Sequence, residues 1–132
     1  MLGRYTIQRG VPLDALPRDI REGVRQDTRK HTRHCLRPDA ALVGPLLATP
    51  PESPARDAAS RVFARAYRET LRQRFAIDRA PFDALADLAR TRSVYLGCNC
   101  PTAKNPNVQH CHTALALEFL AEHFPDLRIV HP

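Results

Sequence analysis

The chain has 132 residues, 43% of them hydrophobic and 26% charged, with a net charge of +6, four cysteines and no tryptophan. That length predicts one domain over residues 1–132, long enough to bury a core without covalent staples. No apolar run approaches the ~18 residues of a membrane span, and MLGRYTIQRG lacks the apolar core of a leader peptide, so a cytoplasmic protein with reduced thiols is expected.

Arg4 to Arg9 alternates as a short strand, with Tyr5 and Ile7 on one face. Pro17 to His34 predicts a weakly amphipathic helix, since only Ile20 and Val24 of its inner face are apolar. Residues 1–37 carry nine Lys or Arg against four Asp or Glu, whereas the remainder is nearly neutral. A basic end of this kind can attract phosphate, or can simply be a solvated surface. Leu36 to Ser53 contains Pro38, Pro45, Pro50 and Pro51 and reads as an extended connection around a short apolar patch, Ala40 to Leu47. Residues 1–55 therefore form a basic, proline-rich part, and 56–132 the part with clear periodicity.

That periodicity begins after Ser53, a good N-cap, with Pro54 at the first helical position. Ala59, Phe63, Tyr67, Leu71 and Phe75 recur every four residues, with Val62 and Ala66 widening the stripe. This predicts an amphipathic helix of about twenty residues with one buried face. Its other face carries Arg61, Arg65, Arg68 and Arg72, a row able to track a nucleic-acid backbone or to face solvent with Glu69 as a local partner. Against single-strand binding, aromatic residues make up only 6% of the chain, and Phe63, Tyr67 and Phe75 are already committed to the core face. Pro81 opens a second helix to Arg90, and SVYLGC, Ser93 to Cys98, reads as a strand. Thr113 caps a third helix to Phe124, and Leu127 to His131 is expected to be a last strand. Strand, helix and strand over 93–131 predict a C-terminal βαβ unit, and with it a small three-layer, Rossmann-like α/β domain with a parallel sheet flanked by helices.

The stretch GCNCPTAKNPNVQHCH, Gly97 to His112, joins the strand to the third helix and holds three of the four cysteines and two of the six histidines. In an open parallel sheet ligands sit at the carboxyl ends of the strands, where this loop emerges. Three readings of the loop stand side by side. Cys98, Cys100 and Cys111 with His112 supply thiolate and imidazole in the number that tetrahedral zinc takes, with His110, His31, His34 or Cys35 as other sources of the fourth ligand. Cys111, just before a helix N-terminus, can instead be a nucleophile with His112 as its base, Asn99 and Thr113 helping to bind a small molecule or anion. The cysteines can also be small side chains packed at a strand end. Cys100 and His110 tip the balance toward metal.

Phe63, Tyr67 and Leu71, then Leu85 and Leu88-Ala89, then VYLGCNC and HCHTALALEFL follow one another in an order that resembles the domain-of-unknown-function family numbered 488, which includes the YeaO-like proteins. The resemblance covers about residues 59–131. It implies a compact α/β domain with a parallel sheet, and it supplies no activity. Cys98 matches that family's strand-end cysteine, and Cys111 with His112 matches its Cys-His pair. Many members place an arginine after the pair; here the position is Thr113, which weakens a phosphate-binding version of the site.

Overall fold

The computed structural model describes residues 1–132. Its ordered elements are β1 (Leu2–Thr6), α1 (Arg18–Glu22), β2 (Val24–Asp27), α2 (Ala40–Leu47), α3 (Pro54–Ile77), α4 (Ala80–Thr91), β3 (Val94–Cys98) and α5 (His112–His123), with 3-10 turns at Leu13–Ala15 and Val108–His110. The three strands form one parallel sheet in the order β1-β3-β2. The chain is thus an α/β protein.

β3 is buried along its whole length, which suits an apolar run at the centre of a parallel sheet. Register fixes which side chains share a face. Leu2 and Val24 pair with Val94, Arg4 and Gln26 with Leu96, and Thr6 with Cys98. These residues point to the side where α3, α4 and α5 bury Phe63, Tyr67, Leu71, Phe82, Leu85, Leu117 and Leu120 in one cluster with Leu2, Val94 and Leu96. Each large side chain buried there contributes roughly 1.5–3 kcal/mol before entropy is counted. The long helices therefore stack on one face. Tyr95 and Gly97 point to the other, where Tyr5 and Ile7 close over Gly97.

α3 begins as its sequence dictates. Ser53 accepts the Arg56 backbone N–H at 3.1 Å, and Pro54 takes the first turn. Val62, however, is exposed rather than part of the buried stripe. Departures from expectation are larger in the first third. The helix expected over 17–34 stops at Glu22, and the chain then turns extended as β2. Two apolar residues could not dock a longer helix, whereas extension gives Val24 to Asp27 a ladder on β3. The apolar patch Ala40 to Leu47 is a helix despite Pro45, because Leu46 is buried in the core that α3 builds. The last strand is reduced to a single parallel bridge, Ile129 to Leu2. It lies on β1 rather than β3, held by Leu2 N–H to Arg128 O at 2.8 Å and Val130 N–H to Leu2 O at 2.9 Å.

Gly23 sits where α1 gives way to β2. A Cβ there would fall 2.6 Å from the Tyr95 ring and 2.9 Å from the Ser93 carbonyl oxygen. The carbonyl belongs to the ladder and cannot swing away. Gly23→Ala is therefore expected to lower stability by about 1–3 kcal/mol, measured as a shift in the denaturant midpoint; a variant as stable as the parent would mean the turn relaxes freely.

Candidate metal centre and its cavity

β3 ends with Cys98, on the helix side of the sheet, and α5 starts at His112 with Cys111 as its N-cap residue. The loop between them folds back so that the sulfurs of Cys98, Cys100 and Cys111 all lie within 4.8 Å of one another. Zinc–sulfur bonds of ~2.3 Å place tetrahedral sulfurs about 3.8 Å apart, so small rotations would close the set on an ion. No disulfide links them. Cys111 is 2% exposed and Cys98 9%, while Cys100 is half-buried.

The loop is held by its own backbone bonds and pinned from two sides, β1 and α3. Thr102 and Asn105 exchange backbone hydrogen bonds at 3.1 Å in both directions. From β1, Arg4 Nη2 donates to the Cys100 carbonyl at 2.6 Å, and the Thr6 hydroxyl donates to the same oxygen at 2.9 Å. From α3, the buried Arg56 donates to Lys104 O at 2.7 Å and to Asn105 Oδ1 at 3.4 Å. The Cys100–Pro101 peptide bond within the loop is cis.

Two of the sulfurs also accept hydrogen bonds from neutral donors. Asn105 Nδ2 lies 3.3 Å from Cys100 Sγ, and the Thr113 hydroxyl 3.2 Å from Cys111 Sγ. Arg4 Nε donates to that hydroxyl at 3.0 Å, leaving its proton for the sulfur. Donors of this kind around sulfur favour its anionic or metal-bound form. The thiols of Cys111 and Cys98 donating toward Cys100 hold its pKa well below the ordinary thiol range, helped by Asn105 and the Arg4 charge against the cost of burial. Cys111 is pushed the opposite way, because its proton is held between the other sulfurs and because it is buried. The two shifts run in opposite directions on Cys100 and on Cys111, the residue the sequence singles out as nucleophile.

His112 is not among the three grouped sulfurs. Its Nε2 lies 2.8 Å from the Thr28 hydroxyl, which in turn donates to Gly97 O at 3.0 Å. With the Thr28 proton so used, Nε2 carries the ring proton, and Nδ1 faces Cys111 Sγ at 3.8 Å as an acceptor. Tyr67 packs edge-on against the ring. Thr113 is fully buried and serves the Cys111 sulfur. Asn99 is exposed and accepts from Arg29 Nη1 at 3.1 Å. Cys35 sits apart beside His34, with burial pushing its thiol up to about 11.

A cavity of about 270 Å³ opens over the three sulfurs. Val43, Leu46 and Phe63 make an apolar wall, and Arg29, Lys30 and Lys104 supply charge. The arginine row of α3 lies elsewhere: Arg61, Arg65, Arg68 and Arg72 line a separate, shallower depression. Arg68 pairs with Glu118 at 2.8 Å and Arg72 with Glu69 at 3.5 Å, so half of that row is matched by carboxylates.

Arg4, Thr6, Thr28, Arg56 and Asn105 support the site without having been singled out in the sequence. Alternation along β1 could have placed Arg4 and Thr6 on one face, but nothing local reveals what the register sets opposite them. No family model matches the chain, and neither does any curated protein or solved structure with which it was compared.

Proposed function

We propose that the chain binds one soft divalent metal ion, best matched by zinc, through the thiolates of Cys98, Cys100 and Cys111. The single observation that carries this reading is the convergence of three sulfurs to within 4.8 Å from both margins of one loop. Packing alone requires no such meeting, and two of the sulfurs also receive donors suited to a thiolate. With three protein ligands the fourth position of a tetrahedron is free for a ligand from the cavity, the pattern of zinc sites that act on or hold small molecules. A reducing compartment such as the cytoplasm suits such a centre, since oxidised cysteines cannot bind the ion. The resemblance to family 488 is part of the same proposal: its strand-end cysteine and Cys-His pair would be the matching positions.

Elemental analysis of the purified chain tests the reading. About one zinc per chain is expected, with only Cys35 open to a thiol reagent under native conditions. Metal-free protein that takes up no zinc on addition, with all four thiols titrating, would overturn it.

One observation favours a second reading. Cys100 is half-buried, lines the same cavity and accepts the Asn105 amide at 3.3 Å, which makes it the sulfur best placed to serve as nucleophile of a metal-free, thiol-dependent site.

A further inference from the structure

We infer that the cavity over the sulfur cluster is a receptor for a small organic anion, a carboxylate or a phosphate carried on a short apolar body. This deepens the metal reading and rests on it only for the contact between ligand and ion; the charge pattern stands without the metal.

The lining contains Arg29, Lys30 and Lys104 and no aspartate or glutamate. Arg29 is spoken for, since its Nε and Nη2 grip Asp27, a carboxylate outside the lining, and its Nη1 reaches Asn99. Lys30 and Lys104 have no carboxylate partner. Arg4 and Arg56, which hold the loop from beneath, have none either; their partners are hydroxyl, carbonyl and amide oxygens. Two buried or half-buried guanidiniums without counter-charge are costly unless anionic groups stand near them.

Three thiolates with a divalent ion carry one net negative charge, and three neutral thiols carry none. Either way the cations around the cavity outnumber the negative charge that the protein supplies. An anion entering from solvent meets a surplus of positive potential in a partly desolvated space, where charge interactions are stronger than at an open surface. Val43, Leu46, Leu47 and Phe63, which also line the cavity, have side chains that offer it no hydrogen bond. A bare inorganic ion would leave those side chains wet, whereas an alkyl or aryl group on the anion could cover them. The volume of about 270 Å³ limits the occupant to a small molecule.

Amide NMR of the full-length labelled chain tests this, in metal-free and zinc-treated form. The probes are inorganic phosphate, n-butyl phosphate, n-butyrate and the neutral n-butanol. Saturable shifts are expected at Asn99, Thr102 and Lys104 with butyl phosphate or butyrate, and the tighter of the two identifies the head group. Inorganic phosphate should bind more weakly and n-butanol not at all. Alanine at both Lys30 and Lys104, two exposed positions that leave the fold intact, should weaken the anions by about fivefold. No saturable shift with any anion in either form, or n-butanol binding as well as the anions, would overturn the inference. Anion binding that persists in a chain that takes up no zinc would remove the metal reading and leave this one standing.

Discussion

Serine in place of Cys98, Cys100 or Cys111 is expected to lower zinc affinity by roughly a hundredfold or more, while Cys35→Ser leaves it unchanged. Metal affinity at structural sites of this chemistry amounts to roughly 10–16 kcal/mol. Shared among three protein ligands, the loss of one thiolate removes several kcal/mol, and a neutral hydroxyl returns little of it at neutral pH. The three sulfurs meet within 4.8 Å, so an ion held there would touch each of them and every single substitution should register. Cys35 is the internal control: its thiol is also partly buried, but it contacts His34 and lies outside the three-sulfur group. Competition with a chromophoric chelator measures the affinities. Cobalt substitution adds an independent signature, because each thiolate ligand contributes to the sulfur-to-metal charge-transfer band. Equal affinity in the parent and in all three single variants would mean that zinc, if it binds, binds elsewhere.

What was legible in the sequence followed from local periodicity. The stripe from Phe63 to Phe75 announced α3, Ser53-Pro54 marked its start, and VYLGC marked the central strand. The margins of the cysteine loop were legible for the same reason: a strand end and a helix start are both visible locally. Elements decided by non-local pairing were not. Val24 to Asp27 is a strand only because β3 offers a ladder, and no pattern within those four residues says so. Pro45 argued against a helix, but the burial of Leu46 outweighed the hydrogen bond that a proline forfeits. The fourth member of the expected ligand set shows the same limit. His112 adjoins Cys111 in sequence and its Nδ1 lies 3.8 Å from that sulfur, but the ring is oriented through Nε2 by the Thr28 hydroxyl, 84 residues away, which no local pattern reveals. The sulfur donors Asn105 and Thr113 depend likewise on Arg56 and Arg4, whose roles come from the elements packed opposite them.

Arg56 carries the second large effect. Arg56→Met is expected to destabilise the chain by about 3 kcal/mol, roughly 10 °C in melting temperature at this size. Arginine on the third residue of a helix reads as surface, yet this one is 2% exposed. Its guanidinium donates to Thr49 Oγ1, Thr49 O and Lys104 O, each at 2.7 Å, and to Asn105 Oδ1. It thereby ties the α2–α3 connection to the cysteine loop, two irregular segments with few other means of holding one another. Charged donors make hydrogen bonds worth about 1.5–3 kcal/mol each, partly offset here by the cost of burying the charge. Methionine fills the space and leaves four oxygens unmatched. Arg61→Met on the exposed face of the same helix is the control and should stay within about 0.5 kcal/mol of the parent. Because guanidinium can only donate, Arg56 also fixes the orientation of the Asn105 carboxamide, with its oxygen toward the arginine and its Nδ2 toward the Cys100 sulfur. Arg56→Lys keeps the charge but not the fork, so it should recover only part of the stability. Zinc should add to the stability of each chain in proportion to its affinity, so a variant whose loop is less well held should gain less and the gap should widen. Were Arg56→Met as stable as Arg61→Met, the guanidinium would not be what holds the loop, and the placement of Asn105 on the sulfur would need another cause.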